Sequence, residues 1–171
     1  MDDLVERKGL YYEKFTDVPY TGKVTGVEQG SFKDGNKDGA WVSYNKNGQL
    51  LLQESYKNGE KDGAWVTYWE NGQLFLRENY KNGKQYGELI GYWENGQLMV
   101  KGSFKNGKKD GAVIGYYDNG QLWEKGNYKN GKRDGAWASY NEDRTVNKER
   151  AGTFKNGKKI SDWISSRLIE G

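Results

Sequence analysis

A period of 24 residues runs through most of this chain and constrains its fold more than any other feature. Glycine recurs at this interval, and a tyrosine follows each glycine at the fifth position. The glycines are Gly39, Gly63, Gly87, Gly111 and Gly135, and the tyrosines are Tyr44, Tyr68, Tyr92, Tyr116 and Tyr140. A repeat of this length indicates tandem supersecondary units that bury their apolar surface by packing on their neighbours.

Two Asn-Gly turns occur in each of the four units that begin at Gly39, Gly63, Gly87 and Gly111. One set precedes Gln-Leu, as in residues 47–50, and the other follows an aromatic residue and Lys, as in residues 56–59. Asn-Gly is the strongest local signal for a hairpin, because both residues of a type I′ turn need positive φ. The intervening segments, such as residues 64–69, are rich in aromatic and β-branched residues. We therefore predict an all-β chain, an elongated single-layer antiparallel β-meander built from tandem 24-residue β-hairpin repeats.

The period divides the chain into three predicted segments. Residues 1–19 break the repeat and are expected to form an N-terminal cap, and residues 20–160 carry the repeat array. Residues 161–171 keep a Trp but lose the repeated Gly and Tyr, as expected of a C-terminal cap that pairs on one side only. A short helix over residues 164–169 is the one helical element considered.

The repeated unit, an aromatic residue followed by Lys-Asn-Gly-Lys-Lys-Asp-Gly and then Tyr, resembles a MORN repeat. The Asn-Gly-Gln-Leu turn is similar to that of the bacterial MORN variant of the YwqK-type, antitoxin-like family. The resemblance covers about residues 20–160 and implies a rod of hairpin repeats with an interaction role. Residues 10–12 and 18–23 also resemble the opening segment of such proteins, which in relatives often follows an export signal.

Composition argues against several classes of function. The chain has no Cys and no His, which excludes thiol nucleophiles, imidazole bases and Cys/His zinc sites. Its carboxylates recur in turns, where solvent keeps them from serving as general acids. Neither a calcium-loop nor a phosphate-loop pattern is present. We therefore expect no enzyme activity, no catalytic residues, no metal site and no cofactor.

Two columns of variable side chains are the candidate binding residues. The residue after each repeated Tyr is aromatic only in the middle of the array, at Trp69, Trp93 and Tyr117, whereas the outer repeats carry Asn45 and Asn141. A second variable column contains Phe75, Met99 and Trp123, which we assign to an alternative face. Exposed contiguous rings are typical of binding surfaces. Cross-strand packing onto the Trp41, Trp65 and Trp137 column is the competing explanation.

These observations predict a non-catalytic scaffold that mediates protein-protein interaction, with self-association as one form. A glycan or cell-wall module using an aromatic ladder, and antitoxin-like partner binding, are the alternatives. The net charge of +3, with Asp beside the lysines, argues against nucleic-acid binding. No run of 18 apolar residues occurs, so no transmembrane segment is expected. The compartment stays open between the cytoplasm and export to the periplasm.

Overall fold

The computed structural model describes residues 3–162, and no helix occurs within that range. The chain forms two compact units, Met1–Lys84 and Gln85–Gly171. Each unit is an antiparallel sheet in which successive hairpins pair with one another. The predicted fold class, an antiparallel meander of hairpin repeats, is thereby confirmed. The short helix considered over residues 164–169 lies outside the described residues.

The strands of the first unit follow one another in chain order. They are β1 (Leu4–Arg7), β2 (Leu10–Glu13), β3 (Gly22–Val24), β4 (Glu28–Lys33), β5 (Asn36–Tyr44), β6 (Leu50–Lys57), β7 (Glu60–Lys61), β8 (Gly63–Tyr68) and β9 (Leu74–Lys81). The next strand, β10 (Lys84–Gln85), spans the boundary in sequence between the two units.

The second unit repeats the same alternation of long and two-residue strands. Its strands are β11 (Gly87–Tyr92), β12 (Leu98–Lys105), β13 (Lys108–Lys109), β14 (Gly111–Tyr116), β15 (Leu122–Lys129), β16 (Lys132–Arg133), β17 (Gly135–Ser139), β18 (Gly152–Lys155) and β19 (Lys158–Ser161).

One repeat of the second unit illustrates why the 24-residue period exists. Strand β12 turns into β13, and Gly111, with φ of 105°, then redirects the chain into β14. Strand β14 pairs with β12 on one side and with β15 on the other. The repeated glycine therefore lies at a bend between two strand segments, where a left-handed backbone conformation favours glycine, and not at a hairpin tip.

The two Asn-Gly turns of a repeat differ in conformation. In the turn at Asn106 and Gly107 both residues have positive φ, 53° and 76°, as a type I′ turn requires. In the turn at Asn119 and Gly120 only the glycine does, at 79°. There the Gly120 N–H donates to the Tyr117 carbonyl at 3.0 Å, which is typical of a three-residue hairpin loop. Positive φ at both residues was thus a correct expectation for the first turn and a wrong one for the second.

The start of the first unit contains structure that the repeat pattern does not indicate. Strands β1 and β2 form a separate hairpin within the predicted N-terminal cap. The ring of Tyr11 in this hairpin lies 4.6 Å from the ring of buried Phe32, and the Phe32 ring lies 4.8 Å from that of Trp41. The boundaries 1–19, 20–160 and 161–171 themselves remain predictions.

The core of the second unit is small and lies near its C-terminal strands. Trp137 is fully buried and packs with Val113 and Phe154, and Val100 and Tyr128 close over this cluster. The indole nitrogen of Trp137 donates to the Asn127 carbonyl at 3.1 Å. Because a sheet of this kind has no covering helix layer within residues 3–162, nearly all other residues there are half-buried or exposed.

Candidate functional site

The variable ring residue after the repeated tyrosine closes a hairpin turn. The backbone N–H of Trp93 donates to the Gln97 carbonyl at 2.8 Å, and the Gly96 N–H donates back to the Trp93 carbonyl at 2.8 Å. Tyr117 makes the same two turn bonds in its own repeat. The ring therefore projects from the end of a strand at a position fixed by backbone hydrogen bonds.

The polar tips of two of these rings reach the following repeat. The indole nitrogen of Trp93 donates to the carbonyl of Tyr116 at 2.9 Å. The hydroxyl of Tyr117 donates to the carbonyl of Tyr140 at 3.0 Å. Both acceptors are the repeated tyrosine one unit on, and both rings are half-buried. The ring column in the second unit thus links consecutive hairpins while leaving part of each ring at the surface.

The two predicted columns do not form separate faces. In the first unit the rings of Trp69 and Phe75 lie 4.4 Å apart. In the second unit the rings of Tyr117 and Trp123 lie 6.3 Å apart. Assignment of the second column to an alternative face was therefore wrong, because the strand bulge at the end of each hairpin brings the two columns together.

Met99 and Trp123 complete the ring region of the second unit. Both are half-buried, and the guanidinium of Arg150 lies 5.1 Å from the Trp123 ring. We use the name ring surface for the four side chains Trp93, Met99, Tyr117 and Trp123.

The outer repeats use asparagine in place of the ring for a different purpose. The Asn45 side-chain oxygen accepts hydrogen bonds from the backbone N–H groups of Asn47 and Gln49, at 2.9 Å and 3.0 Å. The Asn141 side chain donates to the Thr145 hydroxyl at 2.9 Å. Asparagine thus stabilises its own turn, whereas Trp93 bonds to its neighbour. Part of the aromatic preference in the middle repeats consequently has a cause inside the fold.

A stack of cations on aromatic rings was missed by sequence reasoning. Lys61 lies 3.4 Å from the centre of the Trp65 ring and 4.7 Å from that of Tyr80. Arg133 is placed in the same way over Trp137, at 4.2 Å. The pattern is a basic residue four positions before a repeated Trp, and this spacing in the sequence was the available signal. Such contacts contribute about 0.5–1 kcal/mol each at exposed sites.

A buried carboxylate was also missed. Glu124 is 7% exposed and pairs with Arg133 and Arg150, each at 3.3 Å. It occupies the position that Leu52 and Leu76 hold in earlier repeats. The arginine at position 150 belongs to the degenerate segment after Asn141, so the ion pairs tie this segment to the repeat array.

The pKa shifts in the described chain have local structural causes. Burial, followed by the Glu54 carboxylate, raises the pKa of Tyr56 well above its ordinary value of 10. The hydrogen bond and charge of Glu88 raise the pKa of Lys101. Hydrogen bonds from Thr145 lower the pKa of Asp143. Each shift reflects a packing, ion-pair or turn interaction.

Residues 3–162 contain no group of three or more acidic, His or Cys side chains placed to hold a metal ion. They also contain no helix of the length and apolar character needed to span a membrane.

Comparison with protein families gave one match that agrees with the observed hairpins. A family model described as a MORN repeat variant matches residues 37–58, 61–82, 85–106 and 109–130. The matched segments together cover just over half of the chain. Comparison with curated proteins gave no match. The YwqK-type resemblance is finer than this family match and stays a prediction.

Proposed function

We propose that this chain, which belongs to the MORN repeat variant family, is a non-catalytic module that binds a protein partner through its ring surface. MORN repeats are generally associated with protein and membrane binding. The proposal adds two claims to this general association: the partner is a protein, and it binds at the ring surface.

The observation that carries the proposal is the partial burial and the hydrogen bonding of the rings in the second unit. Trp93 and Tyr117 are half-buried, and their polar tips already bond to backbone carbonyls. These bonds fix the ring orientation before any partner arrives, so binding costs little side-chain entropy. Met99, at the repeat position of Phe75 and Trp123, adds a half-buried and adaptable apolar side chain. Preorganised aromatic residues of this kind dominate the energy of protein interfaces.

The same hydrogen bonds favour a protein over a glycan. A sugar needs polar partners for its hydroxyl groups in addition to a flat ring. The indole N–H of Trp93 and the hydroxyl of Tyr117 are engaged within the fold, so the accessible part of these side chains is mainly apolar carbon. An apolar protein surface is the better complement.

The carboxylates near the ring surface support a non-catalytic function. Glu94 and Asp118 lie exposed in hairpin turns, and Glu124 is held by two guanidinium groups. General acid catalysis needs a carboxyl group that is partly desolvated and directed at a substrate. None of these three carboxylates meets that requirement.

The test separates the ring faces from their polar tips. Trp93 and Tyr117 are both replaced by Asn, which the outer repeats carry at this position, or both by Phe, which keeps a ring but removes the donor. Wild-type protein captures a partner from a lysate of the source organism, and the purified partner is titrated by calorimetry. We expect the Asn double variant to weaken binding at least tenfold, because hot-spot residues contribute about 2 kcal/mol or more. The Phe double variant should weaken binding less than the Asn double variant, because it keeps both rings but loses the hydrogen bonds that fix their orientation.

Unchanged affinity of the folded Asn double variant would place the binding surface elsewhere. Capture of no protein, together with ring-dependent binding on a glycan array, would support the glycan alternative. Capture of a toxin would support the antitoxin-like role, which is implied by the resemblance of the Asn-Gly-Gln-Leu turns to those of the YwqK-type family. Thermal unfolding of each variant establishes that the comparison is made between folded proteins.

A further inference from the structure

The second unit contains a groove that the ring surface does not include. Ile114 in β14 lies directly between Lys101 in β12 and Lys125 in β15, its cross-strand partners. Cross-strand partners point to the same face of a sheet, so two lysine side chains flank one isoleucine. Ser103 lies two residues from Lys101 in β12, and Ala112 lies two residues from Ile114 in β14, so both face the same side of the sheet. They extend the groove along the strands. The groove has a volume of about 370 Å³.

The floor of the groove is apolar and shallow. Ala112 is exposed and Ile114 is half-buried, so both present carbon to solvent. The Ser103 hydroxyl donates to the Asp110 carbonyl and is therefore engaged within the fold. Lysine side chains cover apolar surface with their carbon stems while the ammonium group stays in water. The groove thus combines a carbon floor with cationic walls.

The two wall lysines differ in their charge partners. Lys101 pairs with Glu88 at 2.8 Å, and about half of each side chain is exposed. Among residues 3–162, Lys125 has no ion-pair partner. Within the described part of the chain, the groove therefore carries one positive charge that no carboxylate pairs with, beside its apolar floor. A ligand with one carboxylate and an adjoining apolar side chain is complementary to it.

Glu88 is peculiar to this repeat. The same position is alanine in the other repeats, at Ala40, Ala64, Ala112 and Ala136. Alanine is sufficient for the fold at this position in the other four repeats, so the hairpin itself does not require the glutamate. The Glu88 carboxylate pairs with the Lys101 ammonium, so Lys125 is the wall lysine that has no ion-pair partner among residues 3–162. Glu88 therefore limits the groove to ligands with a single, suitably placed negative charge.

We propose that this groove binds a short extended segment of a partner protein, with one Asp or Glu carboxylate at Lys125 and a neighbouring apolar side chain on Ala112 and Ile114. The volume lies at the lower end of the range for ligand pockets, about 300–1000 Å³. It accommodates a few side chains of an extended segment. Glu88 disfavours a polyphosphate backbone. The inference rests on the proposed function only in taking a protein as the partner.

The experiment uses the full chain and two synthetic probes. One is the end-blocked peptide Ala-Val-Glu-Val-Ala with a fluorescent label, and the other has Gln in place of Glu. Binding is followed by fluorescence anisotropy, and NMR shift changes at Ala112 and Ile114 locate the peptide. We expect the Glu peptide to bind about threefold to fivefold more tightly than the Gln peptide, the range of a solvent-exposed ion pair.

Three variants identify the groove charges. Lys125→Gln should abolish the preference for the Glu peptide. Glu88→Gln should strengthen binding of the Glu peptide, because it frees the Lys101 ammonium. Lys129→Gln, which removes the same charge from the exposed end of the same strand, is the matched control and should change nothing.

Equal affinity for the two peptides, or no binding at millimolar concentration, would overturn the proposal. Equal effects of Lys125→Gln and Lys129→Gln would also overturn it, because they would indicate general charge attraction. The ring variants of Trp93 and Tyr117 should bind the Glu peptide normally. If Lys125→Gln loses the peptide but still captures the protein partner, the groove proposal fails and the ring surface is unaffected. If the Trp93 and Tyr117 variants bind the peptide and still capture the partner, the ring-surface proposal fails and the groove is unaffected.

Discussion

The indole nitrogen of Trp93 donates to the backbone carbonyl of Tyr116, 2.9 Å away in the next repeat. A side chain at a variable position therefore bonds to the backbone of an invariant one. Variability along the repeats does not by itself separate binding residues from structural ones, because a ring can have both functions: its tip stabilises the fold while its exposed face contacts a partner.

Removing the donor from Trp93 should lower stability. Trp93→Phe keeps an aromatic ring but leaves the Tyr116 carbonyl without this hydrogen bond. We expect the free energy of unfolding to fall by about 1 kcal/mol, measured by urea denaturation. Tyr117→Phe, which removes the corresponding bond to Tyr140, should lose a similar amount. No loss in either variant would mean that these bonds do not contribute to folding.

Gly126→Ala should destabilise the second unit by overpacking. A Cβ at this position would overlap the ring of Trp137, which is fully buried and bonded to Asn127. We expect a loss of about 1–3 kcal/mol in the free energy of unfolding. Gly102→Ala is the control, because its Cβ would meet Val113 at an ordinary 3.5 Å. Equal effects of the two substitutions would show that the indole moves aside at little cost.

Tyr86→Asp should stabilise the protein. The Asp110 carboxylate accepts a hydrogen bond at 2.9 Å from the backbone N–H of Asn130, twenty residues further on, and Asp62 does the same for Asn82 at 3.0 Å. Tyr86 occupies the corresponding position one repeat before Asp110 and is 54% exposed. An aspartate there would accept from the Asn106 N–H and add about 0.5–1 kcal/mol. Asp110→Ala should lose a similar amount, and a lower melting temperature for Tyr86→Asp would contradict the prediction.

Stability should decline at alkaline pH, in part because of Tyr56. Folding raises the pKa of this phenol through burial and the Glu54 carboxylate, so the folded chain holds the phenolic proton more tightly. The resulting stabilisation is complete below pH 10, the ordinary pKa, and is lost as pH rises toward the folded value. Denaturation between pH 8 and pH 11 should therefore show a shallower decline for Tyr56→Phe than for wild type. Parallel declines would mean that Tyr56 titrates normally.

The repeat period was sufficient to predict the hairpins, because turn chemistry and strand alternation act locally. The relation between Tyr117 and Trp123 was not predictable in this way. It depends on a bulge that changes which side chains share a face. The buried ion pairs of Glu124 were also not predictable from the sequence. A single glutamate at a leucine position does not indicate which arginines will lie beside it in space. Lys125 and Ile114 become neighbours only through the strand register.

The backbone hydrogen bond that joins a type I′ turn to the preceding repeat has a consequence for how such a chain lengthens. Gly131 donates to the carbonyl of Lys109, 22 residues earlier, and Gly107 donates to Gln85 at the same separation. Gly157 makes the equivalent bond to Arg133 across 24 residues, so two inserted residues between Asn141 and Gly152 leave it intact. Duplication or loss of a whole repeat in the gene preserves every such separation. Small insertions are tolerated where the chain leaves the sheet, and evolution can therefore adjust the length of the array and the shape of its loops independently.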